Sequence, residues 1–336
     1  MRYFFFFLIS IPFVVISCDE SFDVNDDWED ITIVYGILSP ADQVHYLKIN
    51  KAFLGPGNAY EMAGESDSIQ YQFDLDVKLE YIVEDQVQQS IVFRDTIMPK
   101  DSLDVYGYPT IFSTENNIVY YARASLVEGG KYKLVISKPG NSKPVWAETI
   151  LMSGTKLRII KPANTSQSLR FENYDFSQTI EWLTIANGRL YQPTIRLNYT
   201  ETLNGVTSNR FVDWQQKSYS SQTVDGGETL RTTYLSRGFF ENLAAQIPVI
   251  PGIVRHFVGL DFLIFVGSDE LNSYIQISKP SGSIVEERPT WTNIQNGYGL
   301  FSSKYSKALK DKLISQQALD SLANGIYTKN LGFVTY

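Results

Sequence analysis

The chain has 336 residues, of which 43% are hydrophobic and 20% are charged, and its formal net charge is −8. This composition is typical of a globular protein that is long enough for two ordinary domains. The negative charge and the lack of a basic stripe argue against nucleic acid as a partner. The single cysteine excludes an intrachain disulfide bond and a thiolate metal cage.

The first 17 residues have the pattern of a secretory signal. Arg2 precedes an apolar run at residues 3–16, which is shorter than the roughly twenty residues that a helix needs to cross a bilayer. A short apolar segment between a basic residue and a small residue is typical of a signal peptide. We therefore expect residues 1–17 to be removed.

The end of this segment reads Val15-Ile16-Ser17-Cys18. It resembles the lipobox of bacterial lipoproteins, in which the cysteine sulfur takes a diacylglycerol and the new N-terminus is acylated after cleavage. The resemblance implies a mature chain that starts at Cys18 and meets a membrane through its lipid. Two or three acyl chains hold a protein far more stably than one chain does.

An acidic segment follows, and we expect residues 18–30 to form a lipidated tether. Like charges repel one another and keep such a segment extended, so that at ~3.3–3.6 Å per residue it reaches up to about 40 Å. Asp19, Glu20 and Asp23 resemble the start of the export signal of Bacteroidetes-type lipoproteins that are displayed on the cell surface. The alternative is a solvated tether without an address, which leaves the protein on the periplasmic face of the outer membrane.

Residues 31–152 have the pattern of a β-sandwich domain. Residues 44–53 alternate between polar and apolar side chains, which is the period of a half-buried strand. Further short strands, rich in aromatic and β-branched residues, are separated by turns such as Glu128-Gly129-Gly130. Such a series predicts an immunoglobulin-like sandwich, although the order of its strands does not follow from the sequence.

Residues 153–336 predict a second β-rich domain. Asn187-Gly188, between apolar runs at residues 179–185 and 190–200, predicts a β-hairpin, and Asn204-Gly205 marks a further turn. We also expect a few short helices. They are predicted after Ser236 and Ser268, which can cap them, and by propensity at residues 304–313 and 315–323. The whole chain is therefore predicted to be mainly β.

A wider resemblance rests on residues 265–271 (FVGSDEL), 291–303 (WTNIQNGYGLFSS) and 130–134 (GKYKL), together with the lipobox. These segments resemble an uncharacterised family of Bacteroidetes-type lipoproteins. The family is a domain of unknown function, two-part and β-rich, and its genes often lie near those of TonB-dependent outer-membrane receptors. The resemblance implies such a receptor as a partner and gives no catalytic residues.

Residues suited to catalysis are few. His45 and His256 are the two histidines, and both lie in apolar strand patterns that are typical of structural histidines. No histidine pair has the spacing of a zinc hydrolase, and no Gly-x-Ser-x-Gly motif is present. Asp74 and Asp76 share one strand face and are a conceivable glycosidase pair, although acids on an edge strand more often oppose aggregation. We expect no catalytic residue, no metal and no cofactor.

Exposed aromatic side chains are the remaining candidates for ligand binding. Tyr106, Tyr108 and Tyr298 fall in predicted loops, where tyrosine can stack on a sugar or anchor a protein partner. Four Asp-Ser/Thr-apolar tripeptides also resemble the acceptors of Bacteroidetes-type O-glycosylation. Their hydroxyl residues are Ser68, Thr96, Ser102 and Ser321.

Three functions remain open on this basis. The leading hypothesis is a non-enzymatic accessory or binding subunit of a TonB-dependent transport system, at the outer membrane or cell surface, whose anchor raises its local concentration beside a membrane partner. The second is a surface glycan- or peptide-binding lipoprotein, with the three tyrosines on one exposed platform. The third is a glycoside hydrolase-like enzyme. The ligand and the oligomeric state do not follow from the sequence.

Overall fold

The structure is a computed structural model that describes residues 31–52, 58–103, 108–110, 112–141, 143–165, 168–171, 173–278 and 291–335. The predicted signal peptide, Cys18 and the acidic residues Asp19, Glu20 and Asp23 lie outside the described residues. Among the described helices, none is both long and apolar enough to span a bilayer. The described chain is mainly β, as the sequence predicts.

The first half of the chain contains seven described strands and two short helices. They are β1 (Thr32–Leu38), β2 (Val44–Lys51), α1 (Ala59–Gly64), α2 (Ser66–Ile69), β3 (Asp76–Val83), β4 (Gln86–Ile97), β5 (Ile118–Arg123), β6 (Lys131–Ser137) and β7 (Val145–Ile150). Along β1 and β6, buried and more exposed residues alternate. This alternation is the period of a strand with one face on the core.

The second half contains longer strands and three helices among its described residues. They are β8 (Arg158–Lys161), β9 (Ser177–Leu183), β10 (Leu190–Leu203), β11 (Val206–Gln215), β12 (Tyr219–Ser220), β13 (Thr229–Leu235), α3 (Ser236–Gln246), β14 (Val254–Gly267), α4 (Asp269–Ser278), β15 (Gly297–Lys312), α5 (Gln316–Asn324) and β16 (Phe333–Val334). The helices begin near the expected positions, but Ser236 is the first residue of α3 rather than its cap. Ser315 caps α5, where its Oγ accepts a hydrogen bond from the backbone N–H of Ala318 at 3.1 Å.

The first seven strands form a sandwich. One sheet has the order β1-β2-β5-β4 and the other the order β4-β3-β6-β7. Strand β4 belongs to both sheets, because its residues 86–93 pair with β3 and its residues 94–97 pair with β5. This order matches the two sheets of the immunoglobulin arrangement, with β4 supplying the strand that changes sheet.

A buried tyrosine fixes the turn before β6. The backbone N–H of Val127 donates a hydrogen bond to the hydroxyl oxygen of Tyr132 at 2.9 Å. Tyr132 is 1% exposed, and its ring stacks on that of Tyr81 with centroids 5.2 Å apart. A tyrosine at the start of this strand that bonds back to the preceding backbone is the tyrosine corner of immunoglobulin-like domains.

Strand β15 joins the two halves of the molecule. Its residues 297–303 pair in parallel with β1, and its residues 304–312 pair antiparallel with β14. Just before β15, the backbone of Gln295 exchanges two hydrogen bonds with that of Trp146 in β7. The first core accordingly contains Ile294 and Phe301 beside residues of β1–β7.

Glycine permits the close approach of β15 to β1. Gly299 has a φ of 117°, and a Cβ at this position would overlap the backbone of Val34. The side chain of Asn293 bonds both the N–H and the carbonyl oxygen of Phe301 on the other side of the strand. The Gly297-Tyr298-Gly299 run is therefore part of a strand rather than a loop.

The second core lies between a four-stranded sheet, β11-β10-β14-β15, and a three-stranded sheet, β13-β9-β8. Its buried residues all belong to residues 152–333 and include Trp182, Tyr191 and Phe262. Leu151 lies in the first core and its neighbour Met152 in the second.

Two local predictions for the second half are wrong. The runs beside Asn187-Gly188 do not form a hairpin, because β9 pairs with β8 and β13 whereas β10 pairs with β11 and β14. Residues 304–312 form a strand instead of a helix, since pairing with β14 outweighs their helix propensity. The number of C-terminal helices predicted from residues 304–323 is thereby reduced to α5.

Candidate functional site

The outer face of the sheet formed by β15, β1, β2 and β5 carries exposed aromatic side chains. In β1, Val34 and Leu38 point into the first core, so that Tyr35 and Ile37 point outward. Tyr46 in β2 lies opposite Tyr121 in β5. We call Tyr35, Tyr46, Tyr121 and Tyr298 together the aromatic face. The exposed fractions of three of its members are 44% for Tyr35, 47% for Tyr46 and 47% for Tyr298.

Helix α4 borders this aromatic face. The ring of Tyr274 meets that of Tyr35 edge to face, with centroids 6.2 Å apart, and that of Trp291 at 6.4 Å. The hydroxyl of Tyr274 donates to that of Tyr35 at 3.5 Å. The pKa of Tyr35 is raised to about 12, mainly by burial and to a smaller extent by this contact with Tyr274. The hydroxyl of Tyr35 is therefore protonated at physiological pH, and its ring is in contact with that of Tyr274.

A lysine lies beside Tyr35 on the same side of the sheet. Lys48 is the cross-strand partner of Tyr35, and its Nζ donates to Asn117 Oδ1 at 2.8 Å and to the carbonyl oxygen of Ile118 at 2.7 Å. Burial, followed by repulsion from Lys100, lowers the pKa of Lys48 to about 8. The amine of Lys48 is thus hydrogen-bonded to oxygen atoms of the protein itself.

The three tyrosines that the sequence predicts as ligand-binding residues do not lie together. Tyr298 lies on the aromatic face, opposite Ile33 of β1. Tyr108 is 68% exposed in the segment between β4 and β5, and Tyr106 lies outside the described residues. Sequence reasoning missed Tyr35 and Tyr46, because alternation shows which residues share a face but not which face stays uncovered.

A second feature is a cleft at the mouth of the first sandwich, where β4 passes from one sheet to the other. Its volume is about 230 Å³. We call it the acidic cleft. Its lining residues are Tyr71, Gln72, Phe73, Asp74, Leu75, Phe93, Asp95, Ile118 and Tyr120.

The two carboxylates of the acidic cleft are not the pair that the sequence predicts. Asp74 lines the cleft together with Asp95, whereas Asp76 forms a salt bridge with Lys78 at 2.5 Å. Burial raises the pKa of Tyr120 to about 12, and the negative charges of Asp95 and Asp74 contribute to this shift. The hydrolase alternative would therefore have to use Asp74 and Asp95, and it stays a hypothesis.

The described residues contain no group of three or more His, Cys, Asp or Glu side chains that could hold a metal ion. His45 is 3% exposed, and its Nε2 lies 3.0 Å from the carbonyl oxygen of Ala124. His256 lies in β14 opposite Thr200. These positions are those of strand residues within the sheets, as the sequence pattern indicates.

The four proposed glycosylation acceptors differ in accessibility. Ser102 is exposed, whereas Thr96 in β4, Ser68 in α2 and Ser321 in α5 are half-buried. Glycosylation at these positions stays a prediction, and Ser102 is the most accessible of them.

Comparison with models of protein families and with curated proteins finds no match to this chain. Among solved structures, the chain has a distant similarity to a secreted serine protease, VesC, from Vibrio cholerae, with 10% identity and a TM-score of 0.18. The match covers 61% of this chain and 46% of that chain, so this chain spans less than half the length of the protease.

Proposed function

We propose that this chain is a lipid-anchored, non-enzymatic binding subunit that works beside a TonB-dependent transporter at the outer membrane. The observation that supports this proposal most strongly is the aromatic face. Tyrosine combines a large apolar ring with a polar hydroxyl and is enriched in protein interfaces. A cluster of exposed aromatic side chains on one sheet face is uncommon unless the face contacts something.

The sequence supplies the rest of the argument. The lipobox at Cys18 and the acidic tether at residues 18–30 would hold the folded part within about 40 Å of a bilayer. A partner in the same membrane then meets the aromatic face at a high effective concentration, so that a weak contact suffices for occupancy. The resemblance to the lipoprotein family suggests a TonB-dependent receptor as that partner.

Co-purification in mild detergent tests this proposal. The tagged full-length protein is expected to recover a TonB-dependent receptor from native membranes, and the Tyr46→Ala/Tyr298→Ala double variant is expected to recover several-fold less. Tyr60→Ala is the matched control, because Tyr60 is 70% exposed in α1, outside the aromatic face. Recovery of the lipoprotein without a receptor, or equal recovery by the double variant, would contradict the proposal.

A second candidate function is surface binding of glycans or peptides. The position of Tyr298 on an exposed aromatic face favours it, since such a face can also stack on sugar rings. Binding of the purified lipoprotein to a polysaccharide without any receptor, weakened by Tyr298→Ala, would support this function over the first.

A further inference from the structure

The acidic cleft combines three polar groups that lack partners in the described part of the chain. Tyr120 is 7% exposed, lines the cleft and lies opposite Asp95 in the pairing of β5 with β4. Its hydroxyl makes no hydrogen bond to a described residue, and neither does the carboxylate of Asp74 or Asp95. Because these three groups line the cleft and are not bonded to the described residues, they are available to a ligand.

The two carboxylates of the cleft are exposed to solvent. Among the described residues, neither Asp74 nor Asp95 forms a salt bridge. The causes that shift the pKa of Tyr120 are burial and these two carboxylates, and no lysine or arginine lowers it. A cation in the cleft would therefore be attracted by two negative charges, whereas a neutral ligand would not.

Aromatic rings form the other wall. Phe73 is 44% exposed, and its ring centroid lies 5.3 Å from that of Tyr71. The buried Nζ of Lys138 lies 5.7 Å from the centroid of the Tyr71 ring, so one of the two rings already contacts a cation of the protein. An aromatic face attracts an ammonium group through its electron density.

We propose that the acidic cleft binds an alkylammonium group. Asp74 and Asp95 would accept charge-assisted hydrogen bonds from the ammonium nitrogen, Tyr120 would supply a further oxygen acceptor, and Phe73 would cover the alkyl carbons. The cleft has a volume of about 230 Å³. This space suits a compact amine, either a small molecule or the side chain of a lysine.

Titration of the purified protein with n-butylammonium chloride tests the proposal. Binding is expected, with NMR shift changes at the rings of Phe73 and Tyr120. The Asp74→Asn/Asp95→Asn variant should weaken binding by about tenfold, and Tyr120→Phe by a few-fold, at unchanged melting temperature. The matched control is Asp42→Asn/Asp225→Asn, which removes the same charge from two exposed positions outside the cleft and should leave the affinity unchanged.

Two further ligands test whether the cleft requires an amine and whether that amine is a lysine side chain. Methyl β-glucoside should not bind, and a capped Gly-Lys-Gly peptide that binds more tightly than n-butylammonium would identify a lysine side chain as the source of the amine. Equal weakening by the control variant would overturn the proposal, because it would reduce the effect to net charge. Binding of the glucoside with no loss in the Asp74→Asn/Asp95→Asn variant would also overturn it. The shift changes in the unmodified protein decide the matter if that variant fails to fold.

Discussion

The two cores of this protein differ in how they are assembled. The described residues of the second core all come from residues 152–333, whereas the first core combines residues 34–151 with Ile294 and Phe301 from far along the chain. The second core is therefore complete within its own part of the sequence, and the first is completed by β15. This difference teaches that a boundary near residue 152 separates the two cores along the chain except for the residues that the segment around β15 adds to the first one.

Removing the second half gives the largest expected effect. A fragment of residues 31–152 should show no cooperative unfolding transition, because it lacks Ile294 and Phe301 and leaves one edge of β1 unpaired. Adding a peptide of residues 291–303 should restore structure, as judged by circular dichroism and amide exchange. A fragment that unfolds cooperatively without the peptide would show that the first core is self-sufficient.

A single side chain should have the next largest effect. Phe301 is fully buried, so Phe301→Ala should lower the free energy of unfolding of the first half by about 3–5 kcal/mol. Phe262→Ala, in the second core, is the matched control. Hydrogen exchange should report faster opening of β2 and β6 for Phe301→Ala, and of β10 for Phe262→Ala. Equal effects of both variants on all of these strands would mean that the two cores open together.

Two buried tyrosine hydroxyls sharpen the comparison further. Tyr132 accepts a hydrogen bond from Val127 in the first half, and Tyr191 accepts one from Ile185 at 2.9 Å in the second. Replacing either by Phe leaves a backbone N–H without its partner, which costs about 1–3 kcal/mol. Tyr132→Phe should destabilise only the first half, and Tyr191→Phe only the second, in the same exchange measurement. An effect of Tyr132→Phe on the strands of the second half would contradict this expectation.

The smallest effect concerns alkaline pH. In the folded state the pKa of Tyr35 is raised from 10.0 to about 12, so its contribution to stability is complete below pH 10 and is lost as pH rises through 12. Because Tyr35 is partly exposed, we expect less than about 1 kcal/mol. Denaturant unfolding between pH 9 and pH 12 should show a shallower decline for Tyr35→Phe than for the unmodified protein, and identical slopes would exclude this contribution.

Local signals in the sequence predict the fold where neighbours in sequence are also partners in space. Asn204-Gly205 joins β10 to β11, and both residues have positive φ, as a two-residue hairpin requires. Asn187 also has positive φ, yet its flanking strands enter different sheets. The connection contains a hydrogen bond from the backbone N–H of Ile185 to the hydroxyl of Tyr191, a contact that a dipeptide pattern cannot show.

The candidate sites were less accessible to prediction. The polar, glycine-rich surroundings of Tyr298 predict an exposed side chain, whereas its neighbours Tyr35 and Tyr46 come from strands whose outward face could have been covered by another layer. The partnership of Asp74 with Asp95 depends on the point at which β4 changes sheet. Both sites result from pairing between strands that are distant in the sequence. A local sequence pattern does not show which of these strands will pair.

The pairing of β1 with β15 also sets the timing of folding. Thr32 is aligned with Gly297, and the parallel ladder continues to Ser303. The first strand therefore pairs with a segment that is very distant in the sequence. Contacts between such distant positions form slowly. During synthesis from the N-terminus, β1 therefore lacks this pairing partner until residues 297–303 have been made.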